Sequence, residues 1–111
     1  MRIAIKTQLL ILLLFTAAQA GAVHFAVIKD FGVDNSAELS VAALIKSWNP
    51  EFIVTTGDNS CTSYPIDDNV GRYFADFIGN YKGLHGPGSP INRFFPSLGN
   101  HDYTEGGGLA A

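Results

Sequence analysis

The sequence predicts an α/β fold, a strand-helix-strand-helix-strand unit with parallel strands. Three observations carry that expectation. Short runs rich in β-branched and aromatic residues occur at 23–28, 52–56 and 93–98, and each is ended by a glycine or a short polar turn. The two segments between them space their apolar residues at helical intervals, as helices packed on a sheet do. Strict alternation of the two kinds of element favours right-handed crossovers between parallel strands.

The chain opens on a segment expected to be removed. Arg2 and Lys6 give a basic start, 9–15 is a continuous apolar run, and Ala18-Gln19-Ala20 places small residues where a signal peptidase cuts. The apolar run is shorter than the ~20 residues that span a bilayer. Residues 1–20 are therefore expected to be a secretory signal cut after Ala20, not a membrane anchor, which makes the mature protein secreted or periplasmic. Loss of Arg2 and Lys6 leaves five basic residues against ten acidic ones. That balance disfavours nucleic acid and anionic membranes as partners. Cys61 is the sole cysteine, so stability has to come from a packed core and not from disulfides.

In the mature chain, 21–104 is expected to hold the domain and 105–111 a Gly-rich tail. The first strand, 23–28, ends at Lys29-Asp30-Phe31-Gly32. Asn35, with Glu38 three residues on, forms a capping-box pattern. Ala37, Val41, Leu44, Ile45 and Trp48 then follow helical spacing until Asn49-Pro50 stops the helix, and Trp48 is expected in the core. The second strand, 52–56, ends at Gly57-Asp58, and a polar loop runs over 59–68. Val70, Tyr73, Phe74, Phe77, Ile78 and Tyr81 predict a second helix whose aromatics are core. Glycines and prolines make 83–90 a loop, and Pro96 assigns the third strand, 93–98, to a sheet edge or a bulge.

Carboxyl ends of parallel strands share one edge of a sheet, where open α/β folds keep their chemistry. Asp30, Asp58 and Asn100 each fall within a residue or two of such an end, with His101 beside Asn100. Two carboxylates and an amide oxygen suit hard or borderline cations, and a carboxylate can bridge two of them. An imidazole alongside can give a proton to a leaving oxygen. Singly, each residue has a structural explanation as a turn or cap former; together, at three strand ends, they suggest a site. Lys29 opposes a cation at Asp30 unless its ammonium points away. His24 and His85 are expected to be structural or exposed.

At Asp30-Phe31-Gly32, Gly57-Asp58-Asn59 and Gly99-Asn100-His101-Asp102-Tyr103 the sequence resembles the calcineurin-like metallophosphoesterases, most closely the purple acid phosphatase branch. The similarity runs from about His24 to Tyr103 and includes Trp48-Asn49-Pro50 and Arg93-Phe94-Phe95-Pro96. It implies the amino-terminal half of an α/β/β/α sandwich and a two-metal phosphoric ester hydrolase. Asp30 would bind one cation, Asp58 would bridge both, Asn100 would bind the second, and His101 would contact the phosphate or assist the leaving group. Iron, zinc or manganese would be the metals, and a phosphate ester the substrate.

The sequence departs from this pattern in three ways. Cys61 stands where the purple branch has its ferric-binding tyrosine, which leaves Cys61 and Tyr64 as candidate replacements. Gly32 stands where the commoner pattern has histidine. The family's later histidine ligands, a lone His and a Gly-His-x-His block, have no counterpart. The expectation is thus a truncated chain, inactive alone, with an incomplete metal site and an uncovered sheet that invites oligomerisation. A secreted, non-catalytic module that binds a cation, a phosphate or a protein is the alternative. A flavodoxin-like or receiver domain fits the alternation equally but gives no reason for Gly-Asn-His-Asp at the third strand end.

Overall fold

A computed structural model describes residues 21–62 and 64–104. The expected signal, 1–20, and the tail, 105–111, lie outside the described residues. Strand β1 (Phe25–Ile28) leads into helix α1 (Ser36–Ser47) and strand β2 (Phe52–Thr55). A helical stretch, α2, follows over 67–77, with π geometry over Asp67–Gly71, α over Arg72–Phe74 and 3-10 over Ala75–Phe77. Strand β3 (Phe94–Phe95) and a short helix α3 (Asn100–Thr104) complete the fold. Among the described residues no helix is long and apolar enough to cross a membrane.

The sheet is parallel, in the order β1-β2-β3. Phe25 pairs with Phe52 and Ile28 with Thr55; Ile53 pairs with Phe94. The small parallel α/β domain thus agrees with the fold class expected from the sequence. Both crossover helices cover the same face. Ala26, Ile28, Ile53 and Phe94 point into one core with Ala42 and Ile45 of α1 and Val70, Tyr73, Phe74 and Phe77 of α2. Phe74 is central to it, edge-on to Phe31 and stacked on Phe94. Full burial of an aliphatic or aromatic side chain of this kind contributes roughly 1.5–3 kcal/mol.

The opposite face carries the alternate residues. Phe25, Val27 and Phe95 are exposed there, and Phe25 and Phe95 flank Phe52 in a ladder of rings with centroids 5.2 and 5.8 Å apart.

Helix α1 starts as expected: Asn35 accepts from the amides of Ala37 and Glu38 at 2.9 and 3.1 Å. It ends at Trp48, after which Asn49 takes a left-handed φ of 49° and Pro50 follows. Its buried stripe, however, is Glu38, Ala42 and Ile45. Val41, Leu44 and Trp48 form a second apolar stripe that faces outward, and Trp48 is 50% exposed, which corrects its expected place in the core. A helix packed on a sheet buries one stripe only, and here Ala42 and Ile45 lie on the buried one. Ala37, also in the expected apolar set, is exposed.

Element boundaries differ from expectation as well, β2 ending one residue early at Thr55. Helix α2 starts at Asp67 and stops at Phe77, so Ile78 and Tyr81 lie beyond it; Ile78 is already extended, and Gly79 bridges to Ser89. The first strand starts at Phe25, so exposed His24 precedes it. The third strand shrinks from 93–98 to Phe94–Phe95. Pro96 has no N–H to continue the ladder, and β3 is the sheet edge that the proline implied.

Candidate metal centre at the strand ends

Asp30 follows β1 by two residues and Asp58 follows β2 by three. Because β1 and β2 are adjacent and parallel, both aspartates emerge at the same edge. The turns that carry them are tied together: the Asp30 amide donates to the Gly57 carbonyl at 3.3 Å, and the Thr56 amide to the Ile28 carbonyl at 3.0 Å. Asp30 and Asp58 both take left-handed backbone, with φ of 52° and 55°. Such a conformation is uncommon outside glycine, and Asp and Asn are the residues that best tolerate it. Asp34, Asn49 and Asn80 share it, so it marks tight turns here and not the site alone.

The two carboxyls influence one another. A side-chain hydrogen bond shared with Asp58 is the main influence holding the Asp30 carboxyl below its ordinary range, with the Lys29 ammonium and positive charge on His101 acting in the same direction. Lys29 does not point away: its Nζ lies 3.2 Å from Asp30 Oδ2, in an exposed pair. An ion pair so open to water is weak, and a cation of higher charge would compete with it for Asp30.

The third strand end joins through its backbone. The His101 amide donates to Asp58 Oδ1 at 3.0 Å. Gly99 makes that approach feasible, since a Cβ there would collide with the Asp58 carboxyl. Asn100 is the first residue of α3 and is exposed. Cys61 also folds back: its amide donates to the Gly32 carbonyl at 2.6 Å, and its Sγ lies 3.4 Å from the Asp58 carbonyl oxygen. A Cβ at Gly32 would strike the Asn59 carbonyl, so that glycine lets the first and second turns touch. Tyr64 is 56% exposed, and its amide donates to Thr62 Oγ1 at 3.4 Å. The structure thus brings Asp30, Asp58, His101 and Cys61 into one neighbourhood, with Asn100 at its border, and does not tie Tyr64 to it.

Two residues that sequence reasoning missed hold the neighbourhood together. Asp102 is buried and accepts from the amides of Gly99 and Ser60 at 2.7 and 2.9 Å and from Asn59 Nδ2 at 3.0 Å. Asn59, buried as well, also donates to the Ser97 carbonyl at 2.7 Å and accepts the Thr55 hydroxyl. Together they lock the Gly57-Asp58 turn to the Gly99-Asn100 turn. The available signal was an acid three residues after Gly99, the spacing at which a side chain reaches back to a helix-start amide.

Asp30 and Asp58 place two carboxyls at one edge of the sheet. Among the described residues, no group of three or more His, Cys, Asp or Glu side chains is arranged to hold a metal ion. A cavity of about 310 Å³ beside Asp67, Val70, Ile78 and Tyr81 shares no lining residue with the strand ends. Asp67 accepts the Tyr81 hydroxyl and the Leu84 amide there, and His85 Nε2 sits 3.1 Å from Asp68 Oδ1. These contacts pin the 81–85 loop to α2, a structural role for His85.

No family model, curated protein or solved structure matches this chain.

Proposed function

We propose that the chain carries the amino-terminal part of a two-cation phosphoric ester hydrolase site, with Asp30 and Asp58 as its first ligands. The single observation behind this reading is that Asp30 and Asp58 follow adjacent parallel strands and emerge at one sheet edge, in turns tied by the Asp30 amide to the Gly57 carbonyl at 3.3 Å. Two like charges held together need a proton or a cation between them. A divalent cation there would polarise a phosphoryl oxygen or acidify a bound water. The chain's own residues would do the rest. Asp30 and Asp58 bind, the His101 amide orients Asp58 by donating to Oδ1, and Asn100 stands next in sequence as the ligand for a second cation. The His101 imidazole would meet the phosphate or protonate the leaving oxygen. Asn59 and Asp102 keep the turns in register.

Asp30, Asp58 and Asn100 are few ligands for two cations, because one well-held ion takes about three or four protein ligands of its own. Weak cation binding without turnover is therefore the expected behaviour of this chain. The second reading, a secreted module that binds a cation or phosphate without catalysis, shares that behaviour. Calorimetric titration with Mn²⁺ and Zn²⁺, alongside an assay with a chromogenic phosphate ester, tests the proposal. Binding that is lost in Asp58→Ala, with no hydrolysis, is expected. Hydrolysis that depends on Asp58 would show that the later histidines are dispensable; binding of neither cation would overturn the site.

A further inference from the structure

Glu38 is a buried acid with no role in the strand-end site. It lies in the first turn of α1 and is 3% exposed. Its Oε2 accepts from the amides of Val33 and Asp34 at 3.1 and 2.7 Å. Its Oε1 is buried and has no hydrogen-bond partner among the described residues. In an ordinary capping box the acid reaches back to the cap residue's own amide. Here it reaches past Asn35 to two amides of the loop that begins at Asp30.

That loop is anchored at its start by the Phe31 ring in the core and by the Asp30 amide on the Gly57 carbonyl, and has fewer ties further on. The Gly32 carbonyl accepts from Cys61 at 2.6 Å, and Asp34 Oδ1 accepts the Tyr73 hydroxyl at 2.8 Å and lies 3.4 Å from Arg72. The ionisable groups facing Glu38 are Asp34 from the loop and Arg72 and Tyr73 from α2. Asp34 opposes a charge on Glu38, and Arg72 favours it.

We propose that Glu38 is a positioning residue that holds the Asp30 loop against α1, and that it acts as a proton-operated latch, closed when the carboxyl is protonated and loosened when it ionises. With the proton on Oε1, Oε2 remains a carbonyl acceptor for both amides, and no charge is buried. Without it, Oε1 carries charge in a place that offers no donor, which is costly. Opening the loop hydrates the carboxylate and removes that cost. Burial pushes the Glu38 carboxyl up to about 7 in the closed state, whereas in an opened loop it returns to the ordinary carboxylate range. The closed state therefore holds the extra proton, and closure weakens as pH rises through the neutral range. The consequence for Asp30, tighter cation binding when the loop is closed, rests on the cation-site reading; the latch does not.

Amide hydrogen exchange at Asp34 in the full chain, corrected for intrinsic pH dependence, reads the latch directly, whereas the Val33 amide also donates to the Phe31 carbonyl at 2.9 Å. Protection should fall about tenfold from pH 6 to pH 8. In Glu38→Gln, whose amide oxygen can still accept both N–H groups, protection should not change with pH. A carbon-13 titration of the Glu38 carboxyl in the unmodified chain gives its midpoint without any variant. Equal protection at both pH values, the same pH response in Glu38→Gln, or a midpoint in the ordinary carboxylate range would overturn the latch. Mn²⁺ titrations at both pH values separate the two ideas: no Mn²⁺ binding at either counts against the cation site, while the exchange data alone decide the latch.

Discussion

Asp102 shows how much one side chain can hold. Its carboxylate satisfies three donors, the Gly99 and Ser60 amides and Asn59 Nδ2, in a buried place. Removing it leaves those donors without their acceptor, and each unmet buried donor costs ~1–3 kcal/mol. Asp102→Ala should therefore destabilise the fold by roughly 3 kcal/mol or more, and Asp102→Asn by less because one oxygen remains. Urea denaturation midpoints of the two variants check this. If Asp102→Ala unfolds within about 1 kcal/mol of the parent, well below the sum of the donor costs, the turn lock is not where the structure puts it. Asp58 differs in kind: it is half-buried and its Oδ1 accepts the His101 amide, so Asp58→Ala should weaken cation binding more than it weakens the fold.

Among the elements, α1 gives the clearest contrast. Ile45 is 2% exposed and Trp48 is 50% exposed, although both fit helical spacing. Ile45→Ala should cost ~2–5 kcal/mol, as large-to-small changes in a packed core do. Trp48→Ala should cost under ~1 kcal/mol, the scale of surface changes. Thermal melts of the pair would sort the two stripes, and reversed magnitudes would mean the helix is rotated. The strand-helix alternation, the Asn35 cap, the Asn49-Pro50 stop and the edge strand at Pro96 were all legible in the sequence, because each depends on residues within a few positions of one another. The inward stripe of α1 was not. Two apolar stripes satisfy the same periodicity, and only the space above the sheet decides between them. The site divides in the same way. Asp30 and Asp58 could be placed at strand ends from their neighbours, while the Asn59–Asp102 lock joins residues 43 apart and depends on how the turns meet.

For the whole molecule, the one-sided placement of α1 and α2 has a direct consequence. Parallel sheets are normally covered on both faces, yet Phe25, Val27 and Phe95 stay exposed on the face away from the helices. The chain should self-associate as its concentration rises, and Phe25→Thr with Phe95→Thr should reduce that association in sedimentation experiments. A parent chain that stays monomeric at high concentration would contradict it.

Stability should also depend on pH in two windows. Glu38 is pushed up to about 7 by burial, so the folded state binds more protons than the unfolded state between the ordinary carboxylate range and that value. The stability it supplies is present in acid and lost as pH rises through neutrality. Asp67 and Asp68 are held below the ordinary carboxylate range, Asp67 chiefly by Tyr81 and the Leu84 amide against its burial, Asp68 by Arg72 and His85. Their contribution is lost only as pH falls through their lowered values. Melting temperature should therefore peak in mild acid and decline towards neutrality, with that decline absent in Glu38→Gln.

The placing of Asp30 and Asp58 at one sheet edge as a cation site is tested most directly by paramagnetic broadening with Mn²⁺. Added in small amounts, the ion should broaden the amide signals of Asp30, Asp58 and His101 ahead of the rest of the chain, and Asp58→Ala should abolish the effect. Broadening centred elsewhere, or unchanged in Asp58→Ala, would mean that the strand ends do not form a cation site.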